Sequence, residues 1–181
     1  MKTIAVAVAS FVFALLACAQ SPQTPPYSTA AAPGCGTGDV KFTVNTERSR
    51  HPFVKPDPGK AIVYFLQDDS NFQSTPRPTT RFGLDGTWVG ATHANSYFYV
   101  SVDPGEHHLC AGWQSFVLPF GKSAAALHFS AETGETYFFV VQNHAGQHQQ
   151  VPPGMDFSQL ESDEAQLLMS KLGYSTSHPK K

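Results

Sequence analysis

Charge is scarce in this 181-residue chain: Asp, Glu, Lys and Arg supply 14% of it, against about a quarter of an average soluble domain. The 12 basic and 14 acidic residues nearly cancel, leaving a formal net charge of −2. A nucleic-acid binder carries a basic footprint, so that class of partner is excluded. Cysteine is rare as well. No two of Cys18, Cys35 and Cys110 lie within four residues of each other, which removes the paired spacing of a zinc site. Gly-x-Ser-x-Gly is missing, and with it the nucleophile elbow of hydrolases. Phe120-Gly121-Lys122-Ser123 matches the end of a phosphate-binding loop, but Phe116 stands where that loop needs glycine and no helix signal follows. The neighbouring acids Asp68-Asp69 and Asp163-Glu164 read as solvated loop and helix-start charges, not as an acid/base pair. The expectation is a protein without enzymatic activity and without a cofactor.

Aromatics and turn formers are plentiful. Phe, Gly and Pro number 14 each and hydrophobic residues reach 41%, which excludes a disordered chain and favours β structure over helical bundles. The chain opens on Met1-Lys2-Thr3 and an apolar run from Ile4 to Ala17. That run is shorter than the about 18 residues of a membrane span, and residues 1–17 read as a signal peptide. Leu15-Leu16-Ala17-Cys18 resembles a bacterial lipobox, with Cys18 as lipid anchor, while Ala17-Cys18-Ala19 also fits ordinary signal-peptidase cleavage. The first reading makes a lipoprotein whose Ala19, by resemblance to Gram-negative sorting, sends it to the outer membrane facing the periplasm. The second makes a soluble periplasmic or secreted protein. Residues 18–34 are rich in Pro, Ser, Thr and Ala and form a tether. An exported chain permits a disulfide, and Cys35 with Cys110 is the remaining pair.

Residues 35–157 read as an all-β, antiparallel sandwich of about eight strands, of prealbumin or immunoglobulin type. Asp39–Asn45 alternates, Ala61–Leu66 and Thr136–Gln142 are apolar on both faces, and Asp85-Gly86 joins Arg81–Leu84 to Thr87–Ala91 as a hairpin turn. Ser96–Val102, His107–Gln114 and Ala124–Ser130 supply the remaining strands. A helix over residues 158–173 follows, started by Ser158 with Glu161 and carrying the stripe Leu160, Leu167, Leu168 and Leu172. It is expected to cover the two-faced strands, with residues 174–181 left as a frayed polar tail.

Two surfaces carry candidate chemistry. Trp88, Tyr97 and Tyr99 could form an aromatic platform for a glycan or an envelope protein, unless a second layer covers the tyrosines. Histidines His93, His107, His108, His144 and His148 offer the alternative of a periplasmic metal-binding protein, although His107 and His108 point to opposite faces of one strand.

Gly59-Lys60-Ala61-Ile62-Val63-Tyr64-Phe65, Asp85-Gly86 with Gly90, Ser96-Tyr97-Phe98, Pro104-Gly105-Glu106-His107 and Gly134-Glu135-Thr136-Tyr137 together resemble an uncharacterised family. It consists of small bacterial envelope proteins, many of them lipoproteins, that carry only a domain-of-unknown-function label. The resemblance implies a sandwich like prealbumin-like and carboxypeptidase-regulatory-like domains, and no catalytic residues. His107 is the shared polar position, where a hydrogen bond closing its turn needs no ligand.

Overall fold

Strands form wherever the sequence alternates or runs apolar in the computed structural model, which describes residues 33–72, 76–114, 121–144 and 154–181. The signal segment, Cys18, most of the tether, Phe116 and His148 lie outside the described residues. In chain order the elements are β1 (Phe42–Glu47), β2 (Ala61–Asp68), β3 (Thr79–Leu84), β4 (Thr87–His93), β5 (Ser96–Val102), β6 (Gly105–Trp113), β7 (Ala124–Ala131), β8 (Thr136–His144), β9 (Gly154–Leu160), α1 (Ser162–Met169) and β10 (Gly173–Pro179). A six-stranded sheet runs β1-β10-β5-β2-β8-β9, and a four-stranded sheet runs β4-β3-β6-β7. All eight expected strands are present, β1 beginning at Phe42 rather than Asp39. The all-β sandwich stands, with one refinement: β2 pairs with β8, and β10 with β5, in parallel.

Alternation sorts each strand between two cores. Val63, Phe65, Phe98, Phe139 and Val141 face the four-stranded sheet, where they meet Phe82, Leu109, Ala111 and Trp113. The opposite sides of β2, β5 and β8 present Ile62, Tyr64, Leu66, Tyr97, Phe138 and Val140, which α1 covers with Ala165 and Met169. Leaving any one of these large side chains in water would forfeit about 2–3 kcal/mol, so an outer layer is obligatory. The segment between β1 and β2 completes it, with Phe53 stacked on Tyr64 at 5.7 Å.

The carboxy-terminal third departs from expectation. The helix spans eight residues, Ser162–Met169, rather than 158–173. Ser158 belongs to β9, because Met155 and Phe157 alternate into the inter-sheet core and hold that stretch at period two. Glu161 is the N-cap and makes no side-chain cap bond. Within the expected stripe, Leu167 is exposed, and the buried helix face is Ala165 and Met169, four residues apart. Residues 173–179 are β10, an interior strand between β1 and β5, not a frayed tail. Its hydroxyls do structural work: the Ser177 Oγ accepts from Ala91 N–H at 3.0 Å, and Ser175 bonds Thr46 at 3.1 Å.

Tight turns end the strands. Asp85 (φ 48°) and Gly86 (φ 81°) both take left-handed backbone, as a two-residue hairpin connection requires. The turns before β6 and β8 cross between the sheets rather than closing hairpins, since β5 and β6, and likewise β7 and β8, belong to different sheets.

Candidate binding groove on the four-stranded sheet

Before β1, residues 33–41 form a strap across the outer face of the four-stranded sheet. Two glycines permit that crossing. A Cβ at Gly83 would overlap the Gly34 carbonyl oxygen, and one at Gly36 would overlap the Trp88 ring. The Cys35–Cys110 disulfide pins the strap to β6, with Cα atoms 4.9 Å apart, as expected from the cysteine pairing. Gly83→Ala is expected to cost about 1–3 kcal/mol by forcing the strap off β3, read as a lower midpoint in urea denaturation.

Between strap and sheet lies an open groove of about 630 Å³, lined among others by Gly36, Gly38, Arg81, Trp88, Gly112 and Lys122. Gly112 stands opposite Ala124 in the β6–β7 ladder, so the floor there is nearly bare backbone. Arg81 and Trp88 project outward from neighbouring strands because Phe82 and Val89 point into the core. The Arg81 guanidinium lies 4.1 Å from the centroid of the Trp88 ring, a cation–π contact. Its Nη1 donates to Val40 O at 2.9 Å and faces Asp39 Oδ1 at 3.3 Å, while its buried Nε has no hydrogen-bond partner among the described residues. Lys122 Nζ stands 3.5 Å from the same Asp39 oxygen. The Lys122 ammonium, with Arg81 and Lys41 behind it, holds the Asp39 carboxyl below its ordinary range. Two cations facing one carboxylate leave the groove with a positive surplus, suited to a partner that presents carboxylates.

Of the expected aromatic platform, Trp88 alone reaches this groove. Tyr97 is fully buried on the other sheet, its hydroxyl donating to Pro52 O at 3.3 Å and its ring set against Tyr64 and Tyr174. Burial first, and then the neighbouring Tyr64, push that hydroxyl well above its ordinary pKa, so it stays neutral. Tyr99 is half-buried between the same two rings. Helix α1 and the segment before β2 cover this face, which is why no tyrosine platform forms. Asp39, Arg81 and Lys122 escaped the sequence reading, since their meeting depends on the path of the strap. The available signal was an arginine alternating with the outward glycine of β3.

Of the expected histidines, the described ones (His93, His107, His108 and His144) do not gather at one point. His93 Nδ1 pairs with the Thr79 hydroxyl at 3.0 Å, and His144 Nε2 stands 3.7 Å from Asp156 Oδ2. No three His, Cys, Asp or Glu side chains among the described residues gather as a metal site. His107 serves its turn: Nε2 reaches Asp103 O at 2.7 Å and Nδ1 reaches Asp85 Oδ2 at 2.6 Å. Both partners only accept, so both ring nitrogens must carry protons and the ring is an imidazolium. Burial works against that charge, but the bonds to Asp103 and Asp85 outweigh it and raise the His107 pKa. Asp85 moves the other way, burial opposing and the His108 and His107 bonds lowering it. A raised histidine contributes fully below its ordinary value of 6.5 and loses that contribution as pH climbs through its folded value. A lowered aspartate contributes above 3.8 and loses it as pH falls through its folded value. Stability is therefore expected to decline from about pH 6.5 upward, and His107→Ala is expected to flatten that limb in urea titrations across pH.

The chain belongs to the family described as proteins of unknown function (DUF2846), whose model matches residues 57–154. That match spans Arg81, Trp88, Cys110 and Lys122, while the strap with Cys35 precedes it. No curated protein and no solved structure matches the chain.

Proposed function

We propose that this family member is an exported, non-enzymatic β-sandwich, lipid-anchored through Cys18, that holds an envelope partner in the groove of its four-stranded sheet. The observation that carries the reading is the Cys35–Cys110 disulfide, because such crosslinks persist in oxidising compartments and are rare in the cytosol. The lipobox and the Pro-rich tether ahead of the strap supply the anchor and the leash. No helix among the described residues is long and apolar enough to cross a membrane. The positive surplus beside Trp88 favours a partner that combines carboxylates with rings that present an apolar C–H face, as an acidic envelope glycan does.

Labelled palmitate is expected to enter the protein, and the mature mass to begin at a lipid-modified Cys18. A mature chain beginning at Gln20 without label would replace the anchor by soluble export. A cytosolic protein that keeps Met1 and two reduced thiols would end the export reading. Soluble peptidoglycan fragments, titrated while tryptophan fluorescence is followed, are expected to bind the parent protein and to lose affinity with Arg81→Ala. No binding to the parent would remove the glycan as occupant.

A further inference from the structure

Four residues down the same outer face from the Gly112–Ala124 rung, His108 of β6 and His128 of β7 stand directly opposite each other. Both backbone groups of His108 turn towards β3: its N–H donates to Asp85 Oδ1 at 2.8 Å, and its carbonyl accepts from Asp85 N–H at 2.9 Å. The His108–His128 rung is therefore a non-hydrogen-bonded pair of the β6–β7 ladder. Rungs of this kind bring Cα atoms to about 4.5 Å and their side chains closest together. The two rings are exposed, tilted to each other, and have centroids 6.3 Å apart. Neither ring is hydrogen-bonded to another described residue, whereas His107 has both nitrogens engaged and His93 has one.

We propose that His108 and His128 form a two-histidine chelate on the sheet surface for a borderline divalent cation, copper(II) being held most tightly. Imidazole nitrogens bind such ions at about 2.0–2.1 Å, so two on one ion stand roughly 3 Å apart. Exposed rings on a close rung reach that spacing by side-chain rotation, with the backbone already fixed by the ladder. Water fills the remaining positions. Among divalent ions, copper exceeds nickel and zinc for nitrogen ligands of this kind. Glu106, two residues before His108 on the same strand face, places a carboxylate beside the pair. Neighbours along a strand diverge, as His107 and His108 do, so only the register between β6 and β7 assembles this pair.

The full, oxidised chain, stripped of metal with chelator, would be titrated with copper(II) sulfate by calorimetry and by electron paramagnetic resonance. One ion per chain is expected in the micromolar range, with hyperfine structure from two imidazole nitrogens. His108→Ala and His128→Ala should each weaken binding by about tenfold or more and leave one nitrogen in the spectrum, while His93→Ala leaves both readouts unchanged. Because both side chains are exposed, melting of the metal-free variants should match the parent. An absence of binding by the parent, or equal binding by the His108→Ala/His128→Ala double variant, would overturn the assignment.

Discussion

Replacing Cys35 and Cys110 together by alanine is expected to lower the unfolding free energy by up to about 4.5 kcal/mol, the chain-entropy value for the 75-residue separation that the disulfide closes. For a domain whose whole stability is about 5–15 kcal/mol, that upper figure is from about three-tenths to nine-tenths of the total. Alanine is the informative replacement, because Cys110 is fully buried and a serine hydroxyl there would add a desolvation cost of its own. The strap keeps other attachments: Val40 O still accepts from Arg81, and Gly34 still lies on β6. The loss should therefore fall mainly on the unfolded side, with the sandwich itself preserved. Guanidinium titrations of the oxidised parent, the parent under dithiothreitol and the double variant test this. The last two should coincide, well below the first. A variant as stable as the oxidised parent would mean that the unfolded chain gains little freedom from the missing crosslink.

Where burial patterns repeat along the chain, the residues announce the fold. β2 and β8 read as two-faced because Tyr64 and Phe138 need cover outside while Phe65 and Phe139 need it inside. Asp85-Gly86 fixes its hairpin through backbone chemistry alone. The carboxy-terminal third is harder to read. β10 is a polar strand whose serines satisfy Thr46 and Ala91, so its place in the sheet is set by partners more than a hundred residues earlier for Thr46 and on another sheet for Ala91. No periodicity in Gly173–Pro179 encodes either partner. The leucines near the helix mislead for a related reason: an eight-residue helix buries just one narrow face, and Ala165 fills it where Leu167 cannot. The groove divides along the same line. Trp88 is conspicuous in the sequence, but the meeting of Asp39 with Arg81 and Lys122 exists only once the strap has crossed the sheet.

Asn143→Ala is expected to cost about 3–5 kcal/mol, because this one amide serves two buried groups at once. Its Oδ1 accepts from the Trp113 indole at 2.7 Å, and its Nδ2 donates to Asp69 Oδ1 at 2.7 Å. The indole nitrogen can only donate, which fixes the orientation of the amide. From the other side, the Thr92 hydroxyl donates to Gln67 Oε1 at 2.6 Å, and Gln67 Nε2 donates to Asp69 Oδ2 at 2.8 Å. Two donor chains thus converge on one buried carboxyl, both of whose oxygens face N–H groups. Burial raises the Asp69 pKa, and the Asn143 and Gln67 bonds restrain the rise. Removing Asn143 strands the indole N–H and releases the largest part of that restraint, so the folded-state pKa climbs further. An acid raised in the folded state loses stability as pH rises from its ordinary value through its folded one. The cost of Asn143→Ala should consequently be largest at neutral pH and shrink as Asp69 takes up its proton under acid conditions. Adding Asp69→Asn to Asn143→Ala removes the charge, lets the new carbonyl accept from Gln67, and turns the new amide group towards the vacated space. The double variant is therefore expected to be more stable at neutral pH than Asn143→Ala alone, a coupling that denaturation cycles read directly. A loss independent of pH and unrelieved by Asp69→Asn would show that Asn143 matters for its volume and not for the carboxylate it holds.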